Sequence, residues 1–216
     1  MSAEEALIAA GVRIVDAGLS PGSSGNLSIR DADRILITAS GTSLGRLTAG
    51  DISVIDLDGT HVGGIRPSKE WPLHVAFYRR DEAHRAVVHL HSPYAVAWSC
   101  LEPWAEHSAI PPLTPYFVMR VGQTPLMPYR HPGDSSLGTD LLASPWKLRA
   151  ALMANHGSVV AGKDLDDAVD RAVELEEACR IALLTATTKR RILDEAQVCE
   201  LAAEWGSPWG ELADVN

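Results

Sequence analysis

Residues 26–38 read NLSIRDADRILIT, and their alternation decides the architecture. Apolar and polar side chains alternate through NLSIR (26–30) and again through RILIT (34–38), the period of half-buried strands. The polar step Asp31–Asp33 between them predicts a hairpin turn. ISVIDL (52–57) predicts a third strand, and Asp58-Gly59 a second hairpin turn leading into His61-Val62. Strands that arrive as hairpins, not as regular βαβ repeats, predict an α/β fold of the α+β type: a mixed, largely antiparallel central sheet flanked by helices.

Working outward, the N-terminal segment predicts a helix. Ser2 and Glu5 have capping-box spacing, Ile8, Val12, Val15 and Leu19 share one helical face, and Gly18 and Pro21-Gly22 end it. EWPLHVAFYRR (70–80) predicts a helix with Pro72 in its first turn. AVVHLH (86–91) predicts a buried strand, followed by a short helix over Tyr94–Cys100. After PPLTP (111–115), YFVMRV predicts another strand. RAALMANHGSVVAG (149–162) predicts two more, broken at Asn155-His156-Gly157. A long helix from Leu165 to Thr187 follows, capped by Asp164, with Val169, Ala172, Leu175, Ala178 and Ile181 as its apolar stripe. No repeat, low-complexity tract or linker interrupts the chain, so residues 1–216 are expected to form one domain.

Hydrophobic residues make up 46% of the 216, enough for a sizeable core. The net charge of −9 argues against nucleic acid as the main partner, since phosphate backbones are bound by surplus Lys and Arg. It leaves room for a small anion in a local basic pocket. Cys100, Cys179 and Cys199 are odd in number and contain no C-x-x-C pair, which points to a reducing cytoplasm. MSAEEALIAAG lacks the basic start of a signal peptide, and no uncharged apolar run approaches the roughly 20 residues that span a bilayer. A soluble, cytoplasmic protein with no membrane partner is expected.

The strongest chemical signal is His89-Leu90-His91. Residues two apart on a strand point the same way, so both imidazoles face one side while Leu90 faces the core. Two neutral imidazoles sharing one direction suit Zn²⁺, although H-x-H alone fits two partly exposed histidines equally well. His156, at the break before Gly157, is presented by a sharp turn. Glu70 opens a helix, where a carboxylate also simply complements the helix N-terminus. Three His and one Glu form a plausible tetrahedral set for zinc, one ion per subunit, or for another divalent transition metal. His61, His74, His84, His107 and His131 form no comparable group; His74, four residues after Glu70, is either behind that ligand or merely packed.

Three short loops carry the amides and hydroxyls that bind phosphate: Gly25-Asn26 with Ser28, Ser40-Gly41-Thr42, and Pro67-Ser68-Lys69. Singly each is an ordinary turn. Together, with Lys69 beside Glu70, they suggest an anionic group held near the metal.

GSSGNLSIR (22–30), ILITASGTSLGRL (35–47), RPSKEWPLH (66–74), AVVHLHSPYAVA (86–97) and ANHGSVVAGKDLDDAVDRAVELEE (154–177) resemble, in order, the signature blocks of the class II aldolase/adducin family. The resemblance covers roughly residues 5–187. It implies zinc ligands at Glu70, His89, His91 and His156, and phosphate contacts at Gly25, Asn26, Ser40, Gly41, Ser68 and Lys69. It also implies a homotetramer with sites between subunits, where Tyr116 would donate a proton to a neighbour's site; a buried strand aromatic is the alternative for Tyr116. Residues 110–134 resemble the corresponding stretch of 3-oxo-tetronate 4-phosphate decarboxylases, although Ser68 replaces their Thr and Trp71-Pro72-Leu73 is aldolase-like. The resemblance therefore implies a zinc-dependent lyase that releases dihydroxyacetone phosphate and CO₂ through a metal-stabilised enediolate. Glu70 would act as base or acid and Lys69 would face the substrate carboxylate; in the alternative, Lys69 serves the phosphate and Arg66 or Arg120 the carboxylate. Sugar-phosphate aldolase is the next reading, then epimerase or dehydratase, and last a non-catalytic binding domain.

Overall fold

The hairpin forms in the expected register, with Ser28 opposite Ile37 and Arg30 opposite Ile35, between β1 (Asn26–Asp31) and β2 (Arg34–Thr38). The computed structural model describes residues 2–213. β3 (Ile52–Asp56) and β4 (His61–Gly64) extend the sheet on one side, and Asp56 organises their turn by accepting from the Asp58 and Thr60 amides. On the other side lie β5 (Ala86–Leu90), β8 (Gly157–Gly162), β7 (Ala150–Met153) and the two-residue β6 (Leu126–Met127). The order is β4-β3-β2-β1-β5-β8-β7-β6, and every pair is antiparallel except β6–β7.

Helices cover both faces. α1 (Ala3–Asp16), α3 (Pro93–Ser99) and α5 (Leu165–Thr185) build one core with Leu27, Val88, Leu90 and Val160. α2 (Trp71–Arg80) and α4 (Ser136–Ala143) build the other with Ile35, Ile37, Val87 and Val159. Among the described residues, no helix is long and apolar enough to cross a membrane.

Three expectations need correction. The buried stripe of α1 is Leu7, Ala10, Gly11 and Ile14, whereas Val12 and Val15 are exposed. Gly11 decides this: a Cβ there would lie 2.3 Å from the Leu44 carbonyl oxygen, so the helix seats its glycine against the 44–47 turn. The long helix α5 ends at Thr185, and Ile181 at the end of its stripe is only half-buried, with Ala182 taking the inward place. YFVMRV is not a strand. Phe117–Val121 is π-helical, with the Gly122 amide reaching the Phe117 carbonyl at 2.9 Å. Phe117, Val118 and Val121 are the buried positions, a helical spacing that seats them against α5 and a C-terminal helix α6 (Glu195–Trp205). That helix carries its own capping box, Asp194 with Gln197, which the sequence reading passed over.

The β7–β8 connection matters most for the site. Asn155 takes the left-handed conformation (φ +55°), a backbone that Asn tolerates better than most residues. Gly157 is needed for closeness, since a Cβ there would lie 2.3 Å from the Leu90 carbonyl oxygen. Gly157→Ala should therefore push β8 off β5 and cost about 1–3 kcal/mol, the range for overpacking a filled core. Urea unfolding of the variant beside the unmodified protein measures it.

Candidate metal centre

β5 has no solvent face. Val88 and Leu90 enter one core and Val87 the other, so His89 stands on the α2 side of the sheet. α2 begins there with Glu70 at its N-cap position, and Glu70 offers no capping hydrogen bond to its own helix. Its carboxylate turns instead toward the histidines. His91 lies one residue past the strand, where the chain enters α3. That corner is pinned by the buried Glu176 of α5, which accepts from Ser92 Oγ (2.6 Å) and from the Tyr94 and Ala95 amides (both 2.8 Å). His156 arrives from the β7–β8 turn.

Glu70, His89, His91 and His156 each offer one ligand atom within 4.8 Å of all the others. Nε2 of His91 is 3.0 Å from Nε2 of His89 and 3.0 Å from Nε2 of His156. Glu70 Oε2 is 3.2 Å from His89 Nε2, and Oε1 is 3.3 Å from His156 Nε2. Ligand bonds of about 2.0–2.1 Å in a tetrahedron place donor atoms about 3.3 Å apart, so these spacings fit one small ion. The donors are also prepared for it. The His89 Nδ1–H meets the Ser158 carbonyl at 2.8 Å, which leaves its Nε2 lone pair facing the cluster. Glu70 Oε1 is buried without a hydrogen-bond partner, a costly state that a cation relieves. The four groups could hold a divalent metal ion.

Burial opposes ionisation of Glu70, but the His156 and His89 imidazoles beside it hold the carboxyl well below the usual carboxylate range. Burial pushes His91 down to about 4, helped by the neighbouring His89 and His156. His74 is pushed down to about 3, again first by burial.

The expected anion loops meet at one end of the sheet. The Ser68 amide reaches the Thr38 carbonyl (3.2 Å) and Ala39 bridges Pro67, so the 38–41 and 66–69 loops run side by side next to Glu70. Ser40 and Gly41 are exposed there, Gly41 at φ +80°. Ser68 is buried, its hydroxyl accepting from the Glu70 amide at 3.3 Å. Lys69 is exposed, with its stem against Gly133: a Cβ at that glycine would lie 2.8 Å from Lys69 Cδ. Gly25 (φ +86°) lets the chain pass the His89 carbonyl, 2.8 Å from where a Cβ would sit.

Two residues differ from their expected surroundings. Asn26 is paired with His89 across β1–β5, and its side chain is buried between Glu70 and His74, not turned to solvent. Ser28, expected beside the anion loop, is also fully buried, bonded to His74 and Tyr78. Tyr116 is not a buried strand aromatic. It is 57% exposed, with Arg120 stacked 5.5 Å from its ring, on the segment that packs against α5 and α6. Among the described residues, no hydrogen bond joins its side chain to Glu70, His89, His91 or His156. Glu176 was missed altogether, because a single Glu inside an amphipathic helix carries no local sign of burial.

A mixed sheet carrying a buried Glu and three His at one end fits a metal-dependent enzyme. The chain belongs to the class II aldolase and adducin N-terminal domain family, whose model matches residues 5–183. It is 41% identical over 202 residues to the 3-oxo-tetronate 4-phosphate decarboxylase of Haemophilus influenzae, covering 93% of this chain and 96% of that protein. The crystal structure of YgbL from Klebsiella pneumoniae matches with a TM-score of 0.84 at 39% identity, covering 92% of this chain and 97% of that one. An L-fuculose 1-phosphate aldolase structure matches at 0.81 and 27% identity, covering 94% of this chain and 96% of that one.

A pH dependence follows from the two most strongly depressed histidines, His91 and His74. An unfolded chain protonates His near pH 6.5, whereas the fold keeps His91 and His74 neutral down to about 4 and 3. Below pH 6.5 the unfolded state therefore binds more protons, and stability falls as the pH falls, levelling out only below those folded values. Metal-stripped protein titrated with urea from pH 7.5 to 4 should show a steadily decreasing midpoint; a flat profile would contradict the assigned environments.

Proposed function

We propose that this chain is a zinc-dependent carbon–carbon lyase that decarboxylates 3-oxo-tetronate 4-phosphate to dihydroxyacetone phosphate. The observation that carries the metal chemistry is the convergence of three imidazole Nε2 atoms and the Glu70 carboxylate, with neighbouring donor atoms 3.0 to 3.3 Å apart. Nitrogen and oxygen donors in that geometry suit zinc. The substrate class is supported by 41% identity over nearly the full length of a protein with that named activity.

His89, His91, His156 and Glu70 would hold the ion. When bound, it polarises the 3-oxo group and stabilises the negative charge that develops as the carbon–carbon bond breaks. The chain's own residues do the rest. The Gly25, Ser40-Gly41 and Ser68-Lys69 loops would meet the phosphate mainly through the exposed Ser40, Gly41 and Lys69, since the Ser68 amide is bonded to Thr38. Lys69, exposed at the mouth, orients the substrate carboxylate until it leaves as neutral CO₂; clamping it would favour the ground state instead. Asn26 acts from within, on Glu70 instead of on the phosphate. The carbon that loses CO₂ takes up one proton. Glu70, through its unpartnered Oε1, is positioned to move it, and Tyr116, exposed in a single chain, is available to supply it to a neighbouring subunit's site. This reading includes a homotetramer; it also includes one domain over the whole chain, which the single continuous sheet supports. A cytoplasmic setting suits the three unpaired cysteines.

Aldehyde release from a ketose 1-phosphate is the second reading, favoured by the likeness to L-fuculose 1-phosphate aldolase. Zinc-loaded protein incubated with each substrate separates the two. Dihydroxyacetone phosphate should appear from 3-oxo-tetronate 4-phosphate, vanish on chelation and return with zinc, and fall at least tenfold in Lys69→Ser. Efficient cleavage of ketose 1-phosphates by a protein inert to the 3-oxo acid would replace decarboxylase by aldolase.

A further inference from the structure

β1 and α2 face each other with polar side chains at matching intervals. Asn26 and Ser28 are two apart on one face of the strand, and Glu70, His74 and Tyr78 are four apart on one face of the helix. They interleave into one continuous line inside the protein. Asn26 Nδ2 lies 2.9 Å from Glu70 Oε2, and Asn26 Oδ1 lies 2.5 Å from His74 Nε2. Ser28 Oγ lies 2.7 Å from His74 Nδ1 and 2.6 Å from the Tyr78 hydroxyl. His74 and Ser28 are fully buried, and Tyr78 and Asn26 are 2% and 5% exposed.

Chemistry dictates the direction of every hydrogen. A carboxylate only accepts, so the Asn26 amide must turn its NH₂ to Glu70 and its oxygen to His74. That oxygen also only accepts, so His74 must carry its proton on Nε2. Its Nδ1, in the neutral ring, is then a bare acceptor, and Ser28 must donate to it. With its hydrogen committed, the Ser28 oxygen can take only the Tyr78 proton. Burial keeps both ends of this logic intact, holding His74 neutral and pushing the Tyr78 phenol up. All four hydrogen bonds point at the carboxylate.

We infer that Tyr78, Ser28, His74 and Asn26 form a one-way hydrogen-bond chain that positions Glu70, holding Oε2 in place and leaving Oε1 as the oxygen free for metal and proton. The inference rests on Glu70 being a metal ligand. Four polar groups in a core are expensive unless each is satisfied, and apolar side chains would fill the same space at lower cost. Their arrangement is useful because it transmits: reversing the His74 tautomer would turn the Asn26 oxygen toward Glu70, setting acceptor against acceptor. Asn26, His74, Ser28 and Tyr78 are thus positioning residues, and the three behind Asn26 act through it.

Nitrogen-15 NMR of the full-length protein reads the tautomer of His74 directly, with or without metal. The expected species is neutral with the proton on Nε2; a proton on Nδ1, or on both nitrogens at neutral pH, overturns the inference. Zinc affinity, measured by competition with a chromophoric chelator, reads the consequence. Ser28→Ala should mix the tautomers and weaken zinc binding by about tenfold, the low end for groups supporting a metal ligand. Ser28→Thr, which keeps the hydroxyl, should restore both. Unchanged tautomer and affinity in Ser28→Ala would sink the idea even if the protein is a zinc enzyme. Failure of the unmodified protein to bind zinc would instead count against the proposed function, while the His74 tautomer still decides whether the chain exists.

Discussion

Strand β5 is buried on both faces and paired on both edges, and the rest of the molecule is arranged around that constraint. β1 and β8 saturate its backbone, while Val88 and Leu90 on one side and Val87 on the other require a helical layer over each face. A histidine in such a strand has no water to turn to. His89 resolves this by donating to the Ser158 carbonyl and by sharing its other nitrogen with a cluster that faces the α2 N-terminus. Because α2 is the cover over that face, its N-cap residue, Glu70, ends near His89. The proposed metal centre is a by-product of closing a sheet on two sides.

The surrounding structure holds that corner still. Gly157 allows β8 to approach the Leu90 carbonyl, which brings the His156 turn in from the far side. Glu176 ties the start of α3 to α5, so the chain cannot swing as it leaves His91. Buried hydrogen bonds to a carboxylate are stronger than neutral ones, and losing one partner strands the other in a low dielectric. These contacts therefore trade tolerance for rigidity, which is what a metal ligand set requires. The neighbouring loops behave differently. Ser40, Gly41 and Lys69 stay at the surface.

Polar burial continues inward from the site. The line from Glu70 to Tyr78 gives the α2–β1 interface a register that greasy packing would not, since a shift of one residue on the strand would turn Asn26 and Ser28 away from the helix. The same interface thus serves the fold and the chemistry. In a family that hosts more than one lyase activity, the fold by itself does not choose the substrate. In the proposed reading that choice would fall to the loops beside Glu70 and to Lys69.

The sequence alone was enough to read the hairpins, the caps of α1 and α5 and the four residues that cluster around Glu70. Strand alternation in 26–38, the Ser2–Glu5 spacing and H-x-H are local patterns, set by the two- and 3.6-residue periods that each segment carries in itself. Five blocks in order then pointed to Glu70, His89, His91 and His156. What depended on packing stayed hidden. YFVMRV has the composition of a strand, yet it winds because Phe117, Val118 and Val121 must all reach α5 and α6. Ile8, Val12 and Val15 look like the inner face of α1, yet Gly11 is the residue small enough to touch Leu44. Asn26 and Ser28 resemble an exposed loop, yet α2 lies over them, because only the folded chain brings residue 28 beside 74 and 78. Tertiary structure decides such cases for one physical reason: burial is a property of the space between elements, and no single element contains it.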